Sequence, residues 1–223
     1  MDIKLFFTAI VKFLIGVIVV GLLIFIPANS VGYFNGWLFM SLLFTPMFVA
    51  GLVLFFKNPD LLRRRLNARE KENSQKEVLL YSGLMFLSGF ILAGLNYRYK
   101  WSKLPDAVVC IASILFIVAY IFYAEVLREN SFLSRTIEVK ENQKVVDTGL
   151  YGIVRHPMYL VTIVLFLSIP LILGSIISFF IFLMYPFIIV KRIKNEESIL
   201  EKELKGYKEY EKKVKYRLIP FIW

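Results

Sequence analysis

The chain has 223 residues, 58% of them hydrophobic, and a net charge of +10; its mean hydropathy is +0.65. Soluble domains are about 45–50% apolar, and several runs here reach the roughly 20 apolar residues that cross a bilayer, so the chain reads as an integral membrane protein and not as a water-soluble domain. Its one cysteine, Cys110, excludes an internal disulfide; with one histidine beside it, a zinc or iron site would need mostly carboxylates, and no metal is expected.

Residues 5–27 form the first span, read as uncleaved, with Lys12 near one end and able to reach the interface. A charge-free link, 28–35, leads to a second span, 36–56, in which Pro46 marks a kink. Residues 57–77 carry seven basic side chains. Leu61, Leu62 and Leu66 suggest a short helix on the membrane surface; a solvated loop that sets topology is the plainer alternative. The third span, 78–95, contains Gly83, Gly89 and Gly94, which allow close helix contact. Pro105 opens the fourth, which ends near Leu127. In it Cys110 reads as a packing residue, and Glu125 either sits at the interface or reaches into a site.

Residues 128–157 are a long polar connector, of a length usually functional when ordered; residues 130–135 and 136–139 are where a short extended piece is expected. The connector leads into the most informative stretch of the chain, Asp147-Thr-Gly-Leu-Tyr-Gly-Ile-Val-Arg-His-Pro-Met-Tyr159. The residue before a proline is pushed out of helical backbone, so His156 should be extended or in a turn and Pro157 should open a helix. Two tyrosines, an arginine and the only histidine are more than a membrane loop needs, and the stretch reads as the mouth of a binding site.

Residues 158–190 follow as a fifth and a sixth apolar segment, a hairpin reversing near Pro170 and Gly174 with arms of about 15 residues, short for a full crossing. From 187 to 205 the chain reads as a helix leaving the membrane, with Ile189, Ile193, Leu200 and Leu204 on one face and Glu196 and Glu197 flanking it. Arg192, four residues before Glu196, is its neighbour, and a plain surface ion pair is the simple reading of the two. Beyond Gly206, Tyr207, Tyr210, Val214 and Tyr216 continue an amphipathic stretch. The apolar end, 218–223, should dock on the membrane interface or back on the protein.

Basic residues number seven in the loop after the second span, five in the connector and ten from Lys191 onward, against none, three and none on the opposite side. The excess marks cytoplasmic loops and attraction to anionic lipid, so membrane lipid is an expected partner and nucleic acid is not. Both termini and the motif are expected on the cytoplasmic side. The expectation is an all-α membrane protein with about six hydrophobic segments, four in 1–127 and two in 128–223, packed as one domain.

Ser134-Arg-Thr-Ile-Glu138, Thr148-Gly-Leu-Tyr151, Arg155-His-Pro-Met-Tyr159 and Glu196-Glu-Ser-Ile-Leu200 stand in order, followed by Gly206-Tyr-Lys-Glu-Tyr210 and Arg217-Leu-Ile-Pro220. Over roughly 125–223 this resembles the isoprenylcysteine carboxyl methyltransferase family of integral membrane enzymes, in its compact prokaryotic branch. The resemblance implies a methyltransferase dependent on S-adenosylmethionine, with the connector and C-terminal helices forming the cofactor pocket. It implies that Glu138, Gln143, Lys144, Val145, Val146, Tyr151, His156, Pro157, Met158, Tyr159 and Glu196 bind the cofactor. Arg192 would act catalytically on a carboxylate acceptor, prenylated or otherwise lipid-like. Leu150 stands where the family often has proline, and Val161 where it often has glycine; the second narrows the space beside the fifth segment.

The chemistry is consistent with that assignment. A tyrosine ring can face a sulfonium, free N–H groups at the Pro157 helix start can take a carboxylate, and Glu196 can accept from ribose hydroxyls or an amino group. His156 suits a positioning donor better than a general base. Phospholipid N-methylation, a membrane sterol or enone reductase using NADPH, and a non-enzymatic lipid-binding adaptor are the alternatives. No Gly-x-Gly-x-x-Gly follows a strand, which excludes the soluble dinucleotide-binding fold.

Overall fold

A computed structural model describes residues 2–66, 73–133, 139 and 143–223. Among these residues the chain is helical with no strand: α1 (Ile3–Ala28), α2 (Phe34–Lys57), α3 (Pro59–Leu66), α4 (Asn73–Tyr99), α5 (Asp106–Glu129), a 3-10 turn (Gly149–Gly152), α6 (Pro157–Ile172), α7 (Ile176–Phe182), α8 (Met184–Glu203) and α9 (Tyr207–Lys213). The expected residues 134–138, including Glu138, lie outside the described residues.

Five stretches are long and apolar enough to cross a membrane: Ile3–Ala28, Phe34–Lys57, Lys76–Tyr99, Asp106–Glu129 and Ile176–Glu203. The chain is therefore a multi-pass membrane protein. α1 shows the logic: it is apolar on every face and leaves large side chains such as Phe7, Ile18 and Ile26 exposed to lipid. Asp2 caps its start by accepting from the Leu5 N–H at 3.1 Å, and Asn29 ends it in left-handed backbone at φ 49°.

The hairpin is less symmetrical than the sequence suggests. α6 has 16 residues, about 24 Å at 1.5 Å per residue, short of a hydrocarbon layer of about 30 Å. The reversal lies at Gly174, φ +72°, while Pro170 is still inside α6. The returning arm is not short: α7 and α8, broken only at Leu183, span 28 residues. Five span-length stretches and one shorter helix thus stand where about six hydrophobic segments are expected.

One core joins α1, α2, α4, α5, α6, α7 and α8 around Phe39, Phe90, Phe116 and Phe182. A Cβ at Gly89 would lie 2.4 Å from the Phe182 ring and one at Gly94 2.5 Å from the Ile24 carbonyl, whereas Gly83 meets open space. Only two of the three glycines therefore mark close helix contact. Cys110 is exposed on α5 rather than packed.

At one end of the bundle, the Tyr33 hydroxyl donates to the Leu173 carbonyl, and Asn96 Nδ2 donates to the carbonyls of Ser102 (3.1 Å) and Gly174 (3.3 Å). The other end gathers the basic segments. Arg64 donates to the Ser131 carbonyl at 2.7 Å, Arg65 to the Tyr123 hydroxyl, and Lys191 pairs with Glu77 at 2.5 Å. α3 buries Leu61 and Leu62, the latter against Leu5 and Phe55; Lys12 donates to the Leu66 carbonyl at 2.6 Å. The basic α3, the connector and the exit of α8 therefore share one end.

Candidate functional site

The connector reaches the site through a single turn. Gly149 adopts φ +54°, a backbone that glycine enters readily, and the turn runs to Gly152. Glu129, at the end of α5, accepts from the Leu150 N–H at 3.0–3.1 Å. Glu125 takes no part; it pairs with Arg128 three residues on, at 2.5 Å. His156 follows at φ −126°, ψ 60°, with Pro157 as the first residue of α6.

The C-terminal segment is laid against this stretch. Arg155 and His156 donate their N–H groups to the carbonyls of Tyr216 (2.9 Å) and Arg217 (2.8 Å). The Tyr210 hydroxyl donates to the Tyr151 carbonyl at 2.7 Å. Lys213 pairs with Asp147 at 2.6 Å and Arg155 with Glu211 at 2.9 Å. Trp223 folds back: its oxygen accepts from the Leu218 and Ile219 N–H groups, and Arg217 stacks over its ring at 5.5 Å. The terminal apolar run thus docks on the protein through Leu218 and Trp223, while Phe221 stays 87% exposed.

At the centre lies Glu197, 2% exposed. Sequence spacing puts it beside the apolar face; the structure puts it inside. Its Oε2 accepts from Arg217 Nε at 2.6 Å, and its Oε1 lies 3.2 Å from His156 Nε2 and 3.0 Å from Arg155 Nε. The Arg155 approach is a close ion pair whose angle falls short of a hydrogen bond. Such a buried carboxylate is tolerable only with this many cationic and N–H partners.

One residue earlier, Glu196 turns another way. The Tyr159 hydroxyl donates to Glu196 Oε2 at 2.5 Å and accepts from Arg192 Nε at 2.9 Å. Arg192 and Glu196 are thus joined through a tyrosine, and the His156 and Tyr159 rings stack with centroids 5.7 Å apart.

These residues wall a cavity with some 830 Å³ of space between its walls, part of it open to solvent. Gln143, Lys144, Val145, Val146, Tyr151, His156, Met158, Tyr159, Arg192 and Glu196 all line it; Pro157 does not. Arg155, part of the stretch read as the mouth of the site, lines it as well; Asn130, Phe132, Leu133, Leu200, Leu204, Tyr207 and Tyr210, which sequence reasoning did not assign to the site, line it too. Tyr207 and Tyr210 had a usable signal, two aromatics at i, i+3 on one face of α9. Val161 is buried in the main core and is not part of the wall.

Among the described residues the cavity holds buried polar atoms with no hydrogen-bond partner. Tyr151 and Tyr207 are 6% and 4% exposed, and neither hydroxyl completes a hydrogen bond among the described residues; Asn130 lies beside the first without closing one. Burial pushes the hydroxyls of Tyr151, Tyr207 and Tyr210 well above the usual phenol range, so each is a neutral donor. Burial likewise pushes the Glu211 carboxyl up, partly offset by Arg155. The start of α6 offers less than its position suggests: the Tyr159 and Leu160 N–H groups both donate to the His156 carbonyl, and Pro157 has none. Among the described residues no group of three His, Cys, Asp or Glu is placed to hold a metal.

Residues 107–202 match the sequence model of the isoprenylcysteine carboxyl methyltransferase (ICMT) family. This stretch, from α5 to the end of α8, is an ICMT-family region, and it includes the motif, Arg192, Glu196 and Glu197. The chain is also 29% identical over 143 residues to the Delta(14)-sterol reductase TM7SF2 of Mus musculus, an alignment covering 58% of this chain and 34% of that protein. The chain thus spans about a third of the length of this relative.

Proposed function

We propose that the protein is an integral membrane methyltransferase that uses S-adenosylmethionine to methylate a carboxylate, or another group on a lipid-like acceptor, at the cytoplasmic face. The observation that carries this reading is the convergence of the motif, the α8 pair Arg192–Glu196 and the tail on one cavity at the basic end of the bundle, within a region matching the methyltransferase family.

The residues suit the cofactor. Four tyrosines, 151, 159, 207 and 210, line the cavity, and a ring face attracts a cation such as a sulfonium. The unpartnered hydroxyls of Tyr151 and Tyr207 are buried donors that a polar ligand would satisfy. Glu196 can accept from an amino group or ribose hydroxyls. When bound, S-adenosylmethionine supplies a methyl group activated on a positively charged sulfur. The remaining work belongs to the chain. A carboxylate acceptor is already ionised and needs alignment rather than a base. Arg192, fixed through its Nε to Tyr159, is the residue to hold it, because a guanidinium pairs with a carboxylate through parallel bonds. Orientation of this kind is worth up to ~7–11 kcal/mol of barrier. Gln143 to Val146 and Met158 complete the wall.

A second reading has one observation in its favour, the similarity to the sterol reductase: a membrane reductase with a nicotinamide cofactor in the same cavity. Binding to detergent-purified protein separates the two. S-adenosylmethionine and its demethylated product should bind saturably, more weakly to Glu196→Ala and Tyr151→Ala, with NADPH not retained. Retention of NADPH alone by folded protein would overturn the methyltransferase reading.

A further inference from the structure

The chain's single histidine has two chemically different ring nitrogens, and the structure treats them differently. His156 is 6% exposed and Glu197 2%. Nε2 lies 3.2 Å from Glu197 Oε1. An ionised carboxylate has only acceptors, so a hydrogen bond there requires the proton on Nε2. Nδ1 makes no hydrogen bond among the described residues, and His156 does not cap α6 through its side chain. The ring also lines the cavity.

Within direct reach of Glu197 stand Arg155 and Arg217, and Arg155 also pairs with Glu211. Two guanidinium groups and two carboxylates already balance there. In a neutral ring with its proton on Nε2, the second nitrogen carries a lone pair and no proton.

We infer that Glu197 is the positioning residue that fixes His156 as the neutral Nε2–H tautomer, so that Nδ1 stands at the cavity as a bare acceptor for an N–H or O–H group of the ligand. The role differs from the positioning donor that sequence reasoning suggests for His156. Tautomer control of this kind is set by the bond at the other nitrogen. It also links the tail to the site, because Arg217 and the Tyr216–Arg217 backbone hold Glu197 and His156 in register. In the proposed methyltransferase, on which only the ligand's identity rests, three parts of S-adenosylmethionine offer such donors: the ammonium of the amino-acid end, the ribose hydroxyls and the adenine amino group.

With one histidine in the chain, ¹⁵N-histidine labelling and solid-state NMR of the full protein in lipid read the tautomer without assignment. The ligand-free wild type at neutral pH should show one protonated and one bare ring nitrogen, the proton on Nε2. Glu197→Asp should keep that pattern. Glu197→Gln, whose amide can donate as well as accept, should mix the tautomers. A proton on Nδ1, a doubly protonated ring, or an unchanged pattern in Glu197→Gln would overturn the inference. Adding S-adenosylhomocysteine or 5′-methylthioadenosine then locates the donor. An Nδ1 shift with both points to the nucleoside, its ribose hydroxyls or adenine amino group, and a shift with the first alone points to the amino-acid end. Binding of both without any Nδ1 shift would refute the acceptor role. If neither ligand binds, the methyltransferase reading fails, and the ligand-free spectra still decide the role of Glu197.

Discussion

Replacing Gly149 by alanine tests how the connector is held to α5. Two terms follow from the geometry. At φ +54° a residue with a Cβ pays ~1–2 kcal/mol for left-handed backbone. The new Cβ would also lie 1.6 Å from Glu129 Oε1, so the carboxylate must leave and its bonds to the Leu150 N–H are lost. A hydrogen bond to a charged group contributes ~1.5–3 kcal/mol; this one is only partly buried, so ~1.5 kcal/mol is the reasonable share. Gly149→Ala should therefore destabilise by ~2.5–3.5 kcal/mol, and Glu129→Ala by ~1.5 kcal/mol. In the double variant the carboxylate is already gone and the Cβ has room. Its loss should match that of Gly149→Ala alone, a shortfall of ~1.5 kcal/mol from additivity. Equilibrium unfolding in mixed micelles measures the cycle. Additivity within ~0.5 kcal/mol, the behaviour of independent sites, would refute the argument.

Two further outcomes are expected. Gly94→Ala should destabilise by ~1–3 kcal/mol, as overpacking does, because its Cβ would press on the Ile24 carbonyl of α1; Gly83→Ala meets open space and should be neutral or stabilise by up to ~1 kcal/mol. The same unfolding assay compares them, and equal effects would refute the close packing of α1 on α4. The second concerns acid. Lys213 holds the exposed Asp147 carboxyl below its usual range. That link is complete above the ordinary carboxylate value of about 4 and is lost as pH falls through the lowered one. Asp147→Asn at pH 7 should therefore show the protease sensitivity around α9 that the wild type shows only in strong acid. Equal sensitivity of the two proteins at neutral pH would refute the latch.

Much of the membrane architecture was legible because its cause is local. Apolar runs fix α1, α2, α4 and α5 to within a few residues, Pro157 fixes the start of α6, and the basic segments do gather at one end. What failed failed for lack of local cause. The turn after α6 could not be placed, since Pro170 and Gly174 are both reversal signals and only Gly174 takes positive φ. The returning arm looked short because Lys191 and its neighbours mark where lipid ends, not where the helix ends. Gly83, Gly89 and Gly94 look alike in sequence. Only the neighbour opposite each, open space, Phe182 or the α1 backbone, decides whether the missing side chain matters.

Glu196 and Glu197 show the same limit at the site. Adjacent residues on a helix point about 100° apart, so one of two neighbouring carboxylates can sit on an apolar stripe while the other leaves it. Ile189, Ile193 and Glu197 recur every four residues, and all three are buried; that spacing was a usable signal that Glu197 is the inward member. A carboxylate in such a stripe must be paired, and the nearby cation in sequence, Arg192, is joined to Glu196 through Tyr159 instead. The partners of Glu197 therefore had to come from elsewhere in the chain. They are Arg155 and His156 from the motif, about forty residues earlier, and Arg217 from the tail, 20 residues later. The motif and the tail thus belong to one polar cluster, and a helix position that spacing left ambiguous is the point where they join.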